Sequence, residues 1–290
     1  MPRLPLASMI LVIAMHAANA KVIDKNAAIA GLTIYYKVIL PHDYDPDKAY
    51  PGVLAFPPGG QTMDMVNVTL NQNWAGEAQR RGYIVVIPAA PGGRLFFEEG
   101  FRVFPQFLDQ LLAEYKIRDS KFHIAGMSNG GISAFYVAAA YPRYFLSVTG
   151  FPGYLPDATA QRVAALAGMC INMHVGELDT GWVENMGEQA SRFRGSGMTV
   201  RMTVEKGQSH VIRTLTGEGS ARLFEEIEET ANGCGKEQLW GVFSYDSAAL
   251  DYKRSEPSQG ATICGGEAML ATARSTVISV AALLPCGAAC

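Results

Sequence analysis

The stretch "KFHIAGMSNGG", residues 121–131, carries an apolar run into a serine with a glycine two places away on either side. The glycines have a steric meaning. A strand-to-helix turn tight enough to push Ser128 out of the chain forces strained dihedrals, and Cβ atoms at positions 126 and 130 would crowd it. Before the motif, "KFHIAG" (121–126) reads as a strand. After it, "ISAFYVAAAYP" (132–142) reads as a helix ending before Pro142.

The same alternation extends both ways. Upstream, "GLTIYYKVILP" (31–41), "VLAF" (53–56) and "YIVVIP" (83–88) read as strands, the last two apolar enough to be buried on both faces. Between and after them, "NWAGEAQRRG" (73–82) and "FPQFLDQLLAEYKI" (104–117) have helical spacing. Downstream, strands at 144–150, 170–176 and 198–207 alternate with helices at 157–168, 182–197 and 220–233. This rhythm predicts an α/β fold: a mostly parallel, doubly wound sheet with helices on both faces. Residues 234–290 break it and form a cysteine-containing C-terminal extension.

A serine hydroxyl is a poor nucleophile at neutral pH, so Ser128 needs a base and a carboxylate to orient that base. In an open α/β sheet, both must come from the C-terminal ends of nearby strands. Just past the strand at 170–176 lies "GELDTGW" with Asp179, and just past the strand at 198–207 lies "GQSH" with His210. Glu177, two residues earlier, is the rival acid. His174 and His123 fall inside strands and read as satisfied core or edge residues, while His42 sits among turn residues.

With these residues the chain resembles an α/β hydrolase, and within that superfamily it is similar to secreted bacterial serine esterases of the polyhydroxybutyrate depolymerase and feruloyl esterase type. The resemblance spans roughly residues 32–233 and rests on the order Ser128, Asp179, His210. It implies that Ser128 attacks an acyl carbonyl, that His210 shuttles the proton, and that Asp179 fixes the tautomer of His210. It further implies oxyanion donors at the backbone N–H of Asn129 and in "PPGGQ" (57–61), at Gly60 or Gln61. Relatives often carry His-Gly where this chain has Pro57 and Pro58. Phe96, Phe97, Tyr154 and Trp182 follow strand ends and are candidate substrate contacts.

The expected activity is therefore hydrolysis of small or polymeric carboxylic esters, with no metal and no cofactor. A peptidase or polyester depolymerase of the same fold, or a secreted binding module without activity, are the alternatives. A formal net charge of −3 over 290 residues gives no electrostatic reason to expect nucleic acid or an anionic membrane as partner.

Residues 1–20 read as a signal peptide: Arg3, an apolar run too short to span a bilayer, and Ala18-Asn19-Ala20 as a small-x-small cleavage pattern. The catalytic domain is then 21–233, in a secreted or periplasmic protein. Cys170, in an apolar run, reads as a buried core thiol. Cys234, Cys264, Cys286 and Cys290 read as disulfide staples of the extension (234–290), with pairing open. The apolar end (267–290) is unsuited to a membrane span because of Arg274 and its length, and a removable lipid-anchor signal is a further option.

Overall fold

The computed structural model describes residues 21–230, 234, 241–246, 248, 251–254, 263–264 and 267–268. The expected leader at 1–20 lies outside them, as do Cys286, Cys290 and most of the apolar end. The chain starts with β1 (Lys21–Ile29) and β2 (Leu32–Leu40), paired antiparallel. Their two-residue turn puts Ala30 at φ 51° and Gly31 at φ 78°, the paired left-handed residues that a tight hairpin turn needs.

There follow β3 (Tyr50–Phe56), α1 (Met63–Thr69), α2 (Ala75–Arg81), β4 (Ile84–Pro88) and α3 (Gln106–Glu114). Next come β5 (Ile117–Gly126), α4 (Asn129–Ala140), β6 (Phe145–Gly150) and α5 (Ala160–Ala165). The last group is β7 (Cys170–Gly176), α6 (Thr180–Gly195), β8 (Val200–Glu205), α7 (Ala221–Thr230), β9 (Gly241–Asp246) and β10 (Asp251–Arg254). Local chemistry sets several bounds. Thr62 and Thr159 cap α1 and α5 with their side chains, and Gly82 at φ 74° closes α2.

The ten strands form one sheet in the order β1-β2-β4-β3-β5-β6-β7-β8-β9-β10. From β4 to β9 every neighbouring pair is parallel, and antiparallel pairing is confined to the two ends. Strands β4, β7 and β8 are buried along their whole length because helices cover both faces. In β3, Leu54 and Phe56 join the layer packed under α3, α4, α5 and α6, whereas Val53 and Ala55 face α1, α2 and α7. The expected doubly wound sheet is therefore the fold that forms.

Two features depart from the sequence reading. The sheet continues past residue 233, where the sequence predicts the domain to end: β9 pairs parallel with β8. Cys170 is not a free thiol. It forms a disulfide with Cys234, with Cα atoms 5.2 Å apart. Cys170 opens β7, and α7 brings the chain back beside that strand end before Cys234, a return that linear spacing does not reveal.

Candidate active site

Because β3, β5, β7 and β8 are parallel, their C-terminal ends share one edge of the sheet. Strand β5 ends at Gly126, and α4 starts at Asn129, leaving a two-residue elbow. Ser128 occupies it at φ 57° and ψ −122°, a conformation that costs a non-glycine residue about 1–3 kcal/mol. The surroundings hold it there. Its N–H donates to Pro152 O at 2.8 Å, and Ile132 N–H donates back to Ser128 O at 2.9 Å. A Cβ on Gly126 would lie 2.2 Å from Gly130 O, and one on Gly130 would lie 2.2 Å from Phe56 O. The missing side chain at Gly130 thus lets the loop after β3 lie close against the elbow.

His210, in the loop after β8, faces Ser128 with Nε2 2.8 Å from Oγ. Its Nδ1 lies 2.7 Å from Asp179 Oδ2. An ionised carboxylate only accepts, so Nδ1 carries the proton and Nε2 offers its lone pair to the hydroxyl. Asp179 precedes α6 at the N-cap position but makes no side-chain cap bond, leaving its carboxylate for His210. Glu177 is engaged elsewhere, its Oε2 accepting from Gly207 N at 3.0 Å. That bond joins the acid loop to the histidine loop, and Leu178 N–H to Gln208 O at 2.9 Å adds a second tie.

Asn129 is the first residue of α4, so its N–H has no acceptor within the helix. Of the two amides suggested in the loop after β3, Gln61 N–H is occupied, donating to Pro58 O at 3.1 Å. Gly60 is the one of the pair that remains.

No known family profile and no curated protein matches the chain. Solved structures do. A thermostable esterase is 20% identical over 73% of this chain and 61% of that chain, with a TM-score of 0.56. A mutant feruloyl esterase module from Clostridium thermocellum, complexed with sinapinate, is 16% identical over 66% of this chain and 82% of that chain (TM-score 0.56). An S-formylglutathione hydrolase from Agrobacterium tumefaciens is 17% identical over 74% of this chain and 95% of that chain (TM-score 0.56). The fold is that of the α/β hydrolases.

Around this α/β-hydrolase edge the four aromatic candidates divide. Trp182 packs on His210 with ring centroids 5.0 Å apart, and Tyr154 meets Trp182 edge-on at 5.1 Å. Phe96 is fully buried against Phe56 and Phe104, so it is core and not a substrate contact. Phe97 is half-buried and forms no ring pair with the aromatic group at His210 among the described residues.

Beneath the histidine loop of this hydrolase fold lies a buried ionic cluster. His174 is sandwiched between Glu205 (Nδ1 to Oε1 3.0 Å) and Glu226 (Nε2 to Oε2 2.7 Å). Both ring nitrogens face carboxyl groups, an arrangement that favours the doubly protonated, cationic ring. Burial pushes its pKa down, but the two carboxylates outweigh this and the net shift is upward. Glu205 is raised by burial, yet His174 and the bidentate Arg222 hold it down at about 2. Its Oε2 also accepts from Thr214 Oγ1 at 2.9 Å, anchoring the loop that carries His210. Sequence reasoning missed this cluster. The available signal was Arg201, Thr203 and Glu205 on one face of β8 with Val200, Met202 and Val204 on the other, and Arg201 indeed lies 3.7 Å from Glu226 Oε1. His123 behaves as expected of a core residue, bonded to Ser147 Oγ at 2.7 Å. His42 is exposed.

Proposed function

We propose that this protein is a secreted serine hydrolase that cleaves carboxylic esters through an acyl-enzyme on Ser128. The observation that carries the proposal is the continuous chain of hydrogen bonds from Ser128 Oγ through His210 to Asp179, at 2.8 and 2.7 Å. In the first step His210 Nε2 takes the hydroxyl proton as Oγ attacks the ester carbonyl. Negative charge collects on the carbonyl oxygen, to be met by the Asn129 N–H and an amide of the loop after β3. Collapse expels the alcohol, which His210 protonates. Water, activated by the same base, then releases the acid. Asp179 keeps the imidazole in the required tautomer and stabilises its cationic form.

Similarity of fold to esterases and an S-formylglutathione hydrolase supports this reaction class. Secretion is supported by the leader-like residues 1–20 and by the Cys170–Cys234 disulfide, a bond that persists in oxidising compartments. No helix among the described residues is long and apolar enough to cross a membrane. The test is labelling with a fluorophosphonate probe alongside turnover of acetyl, butyryl, long-acyl and feruloyl esters. Wild type should label and turn over at least one ester, and Ser128→Ala should do neither. A folded wild type that resists the probe and cleaves none of the panel sinks the proposal.

A further inference from the structure

Gln61 is an unusual residue for the end of a surface turn. It is fully buried and sits at φ 52°, a left-handed conformation normally left to glycine. Every polar group it has is used. Its N–H donates to Pro58 O at 3.1 Å, and its O accepts from Ala90 N at 2.8 Å. Its side-chain Oε1 accepts from Phe96 N at 3.0 Å, while Nε2 donates to Ser133 Oγ at 2.9 Å and to Asn129 O at 3.5 Å. Asn129 adds a bond from the elbow side, Nδ2 to Gly59 O at 2.9 Å.

The two bonds to this turn fall on successive peptide units. A trans peptide is planar, and its C=O and N–H point in opposite directions. Gln61 N–H on Pro58 O therefore fixes the direction of Gly59 N–H. Asn129 Nδ2 on Gly59 O likewise fixes the direction of Gly60 N–H. Both peptides are held at the carbonyl end, and neither glycine N–H has a hydrogen-bond partner among the described residues. Without side chains, Gly59 and Gly60 would otherwise let these peptides rotate freely.

We infer that Gln61 and the Asn129 side chain are positioning residues that lock the glycine turn so that one of its amides is preset as the second oxyanion donor. The inference rests on the proposed acyl-enzyme reaction. It gives Gln61 the role of a keystone in place of a donor, and it gives the Asn129 side chain a task separate from that of its backbone N–H.

The test compares wild type, Asn129→Ala and Gln61→Met with p-nitrophenyl acetate and a trifluoromethyl ketone. The ketone carbonyl adds Ser128 Oγ, its oxygen becomes the oxyanion, and the proton passes to His210. Losing an oxyanion donor costs about 10²–10³ in kcat, so partial loss of its alignment should cost about tenfold in Asn129→Ala and more in Gln61→Met. KM should stay near wild type, and ketone affinity should fall in step with kcat, a correlation that a merely structural defect would not produce. Asn129 is half-buried, so its variant carries the test alone if Gln61→Met does not fold. Wild-type kcat and ketone affinity in Asn129→Ala would overturn the inference while leaving the reaction intact. An inactive, unlabelled wild type would remove the reaction beneath it.

Discussion

Trp182 lies across the imidazole of His210, the two rings tilted by 57° with centroids 5.0 Å apart. Tyr154 in turn packs against the indole, with the two rings edge to face at 5.1 Å. The side chain of His210 is 39% exposed, so the stack is a main restraint on its ring besides Asp179. An aromatic contact of this kind is worth about 1 kcal/mol, and Trp182→Leu should lower kcat/KM about fivefold. Steady-state kinetics on a short acetyl ester checks this, because so small a substrate has little surface to lose contact with.

The acid can be assigned by paired variants. Asp179→Asn would present an amide to His210 and favour the wrong tautomer, with a loss in kcat of about 10⁴. Glu177→Gln keeps an oxygen able to accept from Gly207 N–H and should stay close to wild type. If the Glu177 variant proves the more damaged, Asp179 is not the acid.

Two buried histidines give stability opposite pH dependences. Burial pushes His123 down to about 4, so it is neutral in the native state and the unfolded chain binds the extra proton first. Its contribution is complete above the unfolded value, near 6.5, and fades as pH falls toward 4, by about 3 kcal/mol. His174 has a raised pKa, so its contribution is complete below the unfolded value and is lost as pH rises through the folded one. Urea unfolding across the pH range should show both limbs. His123→Asn should flatten the acid limb, and His174→Gln the alkaline one.

The Cys170–Cys234 bridge closes a loop with a sequence separation of 64, which corresponds to about 4 kcal/mol of restricted unfolded-state entropy. Reductant, or the pair Cys170→Ala and Cys234→Ala, should lower the melting temperature measurably while leaving Ser128 on its elbow. An unchanged melting temperature under reductant would show that the bond contributes nothing to stability.

The regular part of the fold was legible because a buried parallel strand is a continuous apolar run. The expected strand at 170–176 matches β7 in full. Strand β1 is not legible in the same way because "KVIDKNAAI" carries Lys21, Asp24, Lys25 and Asn26, which an edge strand tolerates and a core strand does not. Ser128, Asp179 and His210 could be read from strand ends because topology alone brings those ends together. Phe96 and Gln61 could not be assigned that way, since their roles depend on which way a loop turns. The partner of Cys170 was hidden for a related reason: it lies a helix, a strand and a second helix away.

The segment closed by that bridge contains Asp179 and His210 but not Ser128. A chain emerging from its amino end thus exposes the hydroxyl long before the base that would activate it exists. In the folded chain both partners proposed for Ser128 therefore ride on one covalently closed unit, and the sheet alone sets the serine beside them.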